Sequence, residues 1–212
     1  MNKVYKIVFS VPILVLLVCS FQLLARASPE LNLTQEEWAR LENGELILKI
    51  EEFEGEKGGR GVRTVTFRMV NATPDEVWKV LHEPEKDFEW APRISTSKVT
   101  NKEGNCIDIH YIMSVLYISI HFHIRRVYEK DNWLIESSLI ENEENSLEAV
   151  DGQYALYPQH AGKKTVIKYS LYLMLSNRTP MIIQQYFTKR GCKEWMENFK
   201  KRVESKGTWK KE

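Results

Sequence analysis

Three histidines are the first residues whose types and spacing suggest chemistry. His121 and His123 lie two apart on an apolar, alternating segment and so share one strand face. A turn near Val115 to Tyr117 places His110 opposite His121 on the neighbouring strand. Cross-strand Cβ atoms are about 5 Å apart, a spacing at which three imidazoles can hold Zn²⁺. The same alternation, however, sets Ile118, Ile120, Phe122 and Ile124 on the other face. The histidines then belong to a polar outer surface beside Asp108 and Arg125, and no metal is expected. Glu136 and Asp151 are strand carboxylates, read as hairpin solubility rather than as an acid/base pair. Arg125 and Arg126 can meet an acidic ligand headgroup, but surface pairing is the commoner fate of a strand-end arginine. No Gly-x-Ser-x-Gly is present, and neither Cys106 nor Cys192 stands in a recognisable motif. The run GEKGGRG lacks the spacing and the Lys-Ser/Thr of a phosphate loop, so it reads as a hairpin turn. No catalytic residue is assigned, and no cofactor is expected.

Aromatic residues carry more weight than ionisable ones. Tyr111, Met113, Phe122, Tyr154, Tyr169, Tyr186 and Phe187 fall at strand and helix positions that can face a pocket. Gly191 and Cys192 interrupt the apolar side of the last helix with small residues, and are expected to face the sheet and leave a void. Glu89, Trp90 and Pro92 are expected to border its entrance.

The elements that position these residues follow from periodicity. TQEEWARLE, residues 34 to 42, reads as a short amphipathic helix with Thr34 and Glu37 as a capping box. Glu45 to Phe53 and Val62 to Val70 alternate as strands. Thr73 then caps a helix with Pro74 at its first position; Pro84 ends it, and a second helical turn covers Glu85 to Trp90. Strands are expected at Ser95 to Thr100, Ile107 to Val115, Ile118 to Tyr128, Trp133 to Ile140, Leu147 to Tyr157 and Thr165 to Leu175. One long helix runs from about Pro180 to Ser205, spanning roughly 39 Å at 1.5 Å per residue.

The order is strand, two short helices, a run of antiparallel strands, then a long C-terminal helix. A sheet with one apolar face must cover it, and only the last helix is long enough. The expected fold is therefore α+β: a curved antiparallel sheet of six to seven strands around a long C-terminal helix, with two short helices after the first strand closing one end. VNATPDEVWKVLHEPEKDFEWAP resembles a signature of the START-like, or SRPBCC, superfamily. DGQYALYPQHAGKKTVIKYSLYL resembles that superfamily's Gly-x-aromatic strand and following hairpin, and FKKRVE the end of its closing helix. The polyketide cyclase and coenzyme Q-binding branch is the nearest in appearance. The resemblance spans about residues 45 to 205. It implies a helix-grip fold with a cavity that takes a lipid, quinone, sterol or polyketide, and it admits cyclases and hydrolases beside binding proteins.

The N-terminus has its own logic. Lys3 and Lys6 precede an apolar run from Ile7 to Leu24, closed by Ala25-Arg26-Ala27. This is the pattern of an export signal cleaved after Ala27, with an uncleaved membrane anchor through residues 7–24 as the alternative. Residues 28–44 then form an N-terminal helical segment, 45–206 the main domain and 207–212 a tail. Removal of residues 1–27 takes the net charge from +1 to −2, with 27 basic residues against 29 acidic. A near-neutral domain lacks the electrostatic footprint of a nucleic-acid binder. The expected partners are a hydrophobic small molecule and, transiently, a membrane; the expected location is the periplasm or the extracellular space. Cys106 and Cys192 are expected as free or buried thiols, and the basic runs Lys200-Lys201-Arg202 and Lys210-Lys211 as solvated helix face and tail.

Overall fold

The computed structural model describes residues 31–54, 60–115, 117–175, 179–180, 183 and 186–212. The expected export segment and the GEKGG part of the hairpin turn lie outside these residues.

Helix α1 (Gln35–Glu42) carries the expected capping box: Glu37 N–H donates to Thr34 Oγ1, and Thr34 N–H donates to the Glu37 carboxylate. Strands β1 (Ile47–Glu54) and β2 (Arg60–Val70) form an antiparallel pair. Helix α2 (Pro74–Leu81) begins with a second capping box, Thr73 with Glu76, and Pro74 occupies the first turn, where a missing N–H costs nothing. A 3-10 turn at Pro84–Lys86 leads into the single-turn helix α3 (Asp87–Trp90). Strands β3 (Ile94–Glu103), β4 (Cys106–Val115), β5 (Ile118–Glu129), β6 (Leu134–Leu139), β7 (Ala149–Gln159) and β8 (Lys164–Leu175) follow. Helix α4 (Cys192–Glu204) closes the chain.

The strands make one antiparallel sheet in the order β1-β2-β8-β7-β6-β5-β4-β3. Eight strands are present rather than six or seven, because both opening strands and the segment after Pro92 pair fully. The short helices accordingly follow the second strand, not the first. The sheet is curved and unclosed, with β1 and β3 at its edges.

Alternation decides what each face meets. The inner face packs against α4, whose Met196, Phe199 and Val203 are at most 1% exposed. Each such side chain contributes about 1.5–3 kcal/mol by leaving water. The outer face is covered at one end by α1: Trp38, Leu41 and Leu31 pack on Ile47, Phe67, Met69 and Val166 as a second, smaller core.

Two features of the C-terminal segment depart from the sequence reading. The helix is not uniform: Ile183 and Tyr186 are helical, but Phe187–Gly191 form a π-helical turn before α4 begins. Such a turn holds one residue more than an α turn and is common at functional sites. The tail is docked rather than solvated. Lys211 N–H donates to Glu89 O, its ammonium donates to Ala91 O and Ile94 O at 2.6 Å each, and Lys210 pairs with Glu89 at 2.8 Å. Arg202, read as part of a solvated basic face, is 3% exposed and joins Glu89 at 2.7 Å and Trp209 O at 2.8 Å.

Candidate functional site: a cavity between sheet and helix

A cavity of about 90 Å³ lies between the inner sheet face and the C-terminal segment. Its floor comes from alternate positions of five strands: Tyr111 and Met113 of β4, Phe122, Ile124 and Arg126 of β5, Ser137 of β6, Val150, Gly152 and Tyr154 of β7, and Tyr169, Leu171 and Leu173 of β8. Tyr186, Phe187, Gly191, Cys192 and Trp195 form the roof, and Pro92, Ile94 and Leu147 complete the wall. The π turn matters here because it sets both Phe187 and Gly191 toward the sheet.

Of the residues expected at a pocket, Tyr111, Met113, Phe122, Tyr154, Tyr169, Tyr186, Phe187 and Gly191 all line this cavity. Trp90 does not. It is 1% exposed and wedged against Trp195 and Phe199, with ring centroids 5.1 Å from each. Helix α3 is too short to reach the cavity with both faces, and its Trp side packs on α4 instead. Of the expected entrance residues, Pro92 reaches the cavity wall, whereas Glu89 is held by Arg202 and Lys210.

Aromatic contacts order the roof and floor. Tyr154 stacks on Tyr169 at 4.4 Å, and Trp195 Nε1–H donates to Tyr154 Oη at 2.5 Å. Arg93 lies over the Tyr186 ring at 5.9 Å, and Tyr186 Oη–H donates to Glu194 at 3.3 Å. Cys192 is buried and shares a 3.1 Å contact with Thr64 Oγ1; burial pushes its thiol up, so it is unreactive at neutral pH. Cys106 is also free.

The sequence reading missed the polar end of the cavity. Arg126, expected at the surface, is 3% exposed, and its Nη2 donates to Asp87 Oδ2 at 2.9 Å. Asp87, from α3, is fully buried, and Tyr111 Oη–H donates to the same oxygen at 2.5 Å. Tyr128 Oη–H beside them donates to Leu81 O at 3.0 Å. Burial pushes the Asp87 carboxyl up, against the pull of Arg126 and Tyr111. Burial also disfavours the Arg126 charge, but the neighbouring Tyr111 and Asp87 oxygens outweigh it and hold the guanidinium well above its ordinary range. Tyr128 stands beside the Arg126 guanidinium and Trp90 beside the Asp87 carboxylate as further polar neighbours, but Arg126 Nε and Nη1 and Asp87 Oδ1, all buried, make no well-aligned hydrogen bond. The period-two pattern carried the clue: Arg126 is the next inward position after Ile120, Phe122 and Ile124. Nothing in the sequence marked Asp87.

The remaining chemical candidates lie on the outer face. Glu136 and Asp151 line a groove on the back of the sheet, with Gln153 Nε2 donating to Glu136 at 3.2 Å. The histidines are on that face too, but in a different register. His110 pairs with His123, not His121, because the hairpin joins Val115 directly opposite Ile118. The rings stack, His110 on His123 at 4.3 Å and on His121 at 5.8 Å. Among the described residues, no group of three or more His, Cys, Asp or Glu is placed to hold a metal. Arg125 pairs with Asp108 through two hydrogen bonds of 2.7 and 2.8 Å.

Comparison with known proteins follows from this geometry. No protein-family model matches the chain, and no curated protein matches it. Solved structures do. A STAR-related lipid transfer protein from Xanthomonas axonopodis aligns over 76% of this chain and 98% of its own, with 15% identity and a TM-score of 0.58. A START superfamily protein from Mycobacterium smegmatis covers 68% and 97%, at 12% identity and a TM-score of 0.57. An aromatase/cyclase from Streptomyces sp. R1128 covers 74% and 94%, at 10% identity and a TM-score of 0.58. The fold is START-like. Identities this low speak for the START-like helix-grip architecture alone, and that architecture is the one the sequence resemblance implied.

Proposed function

We propose that this START-like protein binds, and carries, a hydrophobic small molecule of the lipid or isoprenoid/quinone class in the cavity under its C-terminal helix. The observation that supports this most is the cavity itself, which aromatic and aliphatic side chains from five strands and the closing segment surround. A cavity that takes a drug-sized guest measures about 300 Å³ or more. The guest therefore enters as side chains move apart, and the half-buried Tyr186 and Phe187 are the ones placed to do so. Apolar burial supplies the affinity, at about 25 cal/mol per Å². The test is native mass spectrometry and lipid extraction of the purified protein. Protein that is always empty, and that no lipid can load, overturns the proposal.

A second reading is a cyclase acting on an aromatic or polyketide substrate. Glu136, Asp151 and the histidines give it no support, because they face away from the cavity. Tyr111 and Arg126, which line the cavity, favour it: a guanidinium can polarise a carbonyl, and the fully buried Asp87 behind them holds both in place. Turnover of a linear poly-ketone that stops in Asp87→Asn supports this reading, and binding without turnover in the parent protein rejects it.

The proposal includes export through residues 1–27 and transient contact with the membrane that supplies the guest. Edman sequencing of the mature protein tests the first: Ser28 supports cleavage and Met1 rejects it.

A further inference from the structure

Among the described residues, β1 and β3 each have one side that no other strand pairs with. Such an edge offers a row of backbone N–H and C=O groups to any strand that comes alongside, and proteins usually disrupt it. β3 is disrupted: its register shifts between Ile94 and Thr96 and again between Val99 and Asn101. β1 is not. Ile47 to Glu54 pair with β2 residue for residue, without a bulge. On this straight edge the apolar Ile50 is 43% exposed.

The charges along β1 choose the partner. A second copy that adds its own β1 antiparallel, about a twofold axis normal to the sheet, keeps inner face beside inner face. The axis must then pass through a residue and not between two. Through Lys49, Glu51 or Glu52 it sets like charges opposite each other, and through Phe53 it sets Glu52 opposite Glu54. Nearer the start of the strand, too few residues overlap. Through Ile50 it sets Ile50 on Ile50 of the second copy, Lys49 on Glu51, Leu48 on Glu52 and Ile47 on Phe53, with no like pair opposite. Residues facing in this way lie about 5 Å apart at Cβ. Lys49 already meets Glu37 at 2.9 Å, and Arg63 meets Glu51 at 3.6 Å. Across the axis these join into two rows of alternating sign: Glu37 and Lys49, then Glu51 and Arg63 of the second copy.

We propose that the β1 edge is a homodimer interface, at which two copies pair their β1 strands antiparallel, centred on Ile50, into one continuous sheet. Charges that keep unrelated strands off an edge admit this one. The dimer ends in two bulged β3 edges and grows no further. The cavity takes no lining residue from β1, so each copy keeps its own, and the dimer does not depend on what the cavity holds. A pair of eight-residue strands falls short of the roughly 1,200 Å² of a stable complex, so the dimer is weak, with a Kd of about 10–100 μM.

Sedimentation equilibrium of the purified protein across that range reads the monomer–dimer step. Lys49→Glu and Glu51→Lys each set like charges opposite each other twice, and each should weaken the dimer about tenfold or more. The combined swap, Lys49→Glu with Glu51→Lys, restores opposite signs and should return the dimer to near the parent strength. Mild oxidation should link Ile50→Cys to its second copy and leave Phe88→Cys, equally exposed at 43%, unlinked. A protein that stays monomeric at ten times those concentrations overturns the proposal. So does a dimer that ignores the single charge changes, a swap that fails to recover, a cross-link as strong at Phe88→Cys as at Ile50→Cys, or an edge found occupied by an unrelated peptide.

Discussion

The buried Asp87–Arg126 pair yields a thermodynamic cycle with an uneven outcome. Arg126 Nη2 and Tyr111 Oη both donate to one oxygen of Asp87, and the two charged side chains are 0% and 4% exposed. Asp87→Leu leaves a guanidinium with no counter-ion in an apolar cavity, and Arg126 stays protonated whatever the pH near neutrality. Breaking a buried pair in this way costs about 3–5 kcal/mol. For a chain of this size that is roughly 6–20 °C in Tm. Arg126→Met costs less, because the stranded Asp87 takes up a proton. Its pKa, already pushed up by burial, rises further once the guanidinium is gone. A folded-state pKa above the unfolded value of about 3.8 gives stability that is full below that pH and is lost as pH rises. Arg126→Met is therefore closest to the parent near pH 4 and falls behind toward pH 8, whereas Asp87→Leu has no such slope of its own. The double variant recovers most of the loss. Urea midpoints for the four proteins between pH 4 and 8 read all three terms. Equal costs for the two single variants, or a double variant that loses the sum of both, refutes the reasoning.

Four further outcomes are expected. Gly191→Leu places its Cβ about 3.4 Å from the Tyr186 ring and extends side-chain volume into the cavity; dye uptake should drop several-fold while the circular dichroism spectrum and Tm hold, and unchanged uptake rejects the placement of Gly191 in the roof. Thr73→Ala removes the cap of α2 and should cost about 1 kcal/mol in denaturant titration. The Thr73 backbone N–H holds the Glu76 carboxyl below its ordinary range, so this stabilisation is present above about pH 4.5 and fades as pH falls; Glu76→Gln should differ from the parent at neutral pH and converge with it in acid. Deleting residues 208–212 removes the contacts of Trp209, Lys210 and Lys211 to Arg202, Glu89, Ala91 and Ile94, and should lower stability by about 1–3 kcal/mol in the same titration; an unchanged midpoint shows that the docked tail contributes nothing.

What the sequence revealed and what it hid have a common physical origin. Strands were legible because one-sided burial writes a period of two, as at Ile167, Tyr169, Leu171, Leu173 and Leu175. Capping boxes at Thr34 and Thr73 were legible because a backbone end and a side chain satisfy each other locally. The pocket aromatics followed from those faces. Arg126 was misplaced because residue type was weighed above position: the alternation through Phe122 and Ile124 pointed it inward. The histidine register slipped by two residues because it depended on where a hairpin turns, which a few side chains near Val115 do not fix. Asp87 and Trp90 depended on how α3 docks, a tertiary outcome with no local pattern. The π turn had no signal at all, since its side chains also suit an ordinary α-helix.

That turn has a bearing on chain length. A π turn keeps one surplus residue between Phe187 and Gly191. Deleting a single residue there would let the backbone relax to regular 3.6-residue winding and would swing everything upstream by about 100° around the axis. Tyr186 would leave Arg93, and a different set of side chains would look down on the strands. The identity of the residues that roof the hollow is thus set by counting as much as by chemistry, and an insertion or deletion in this short span would re-specify the binding surface without touching any β-strand.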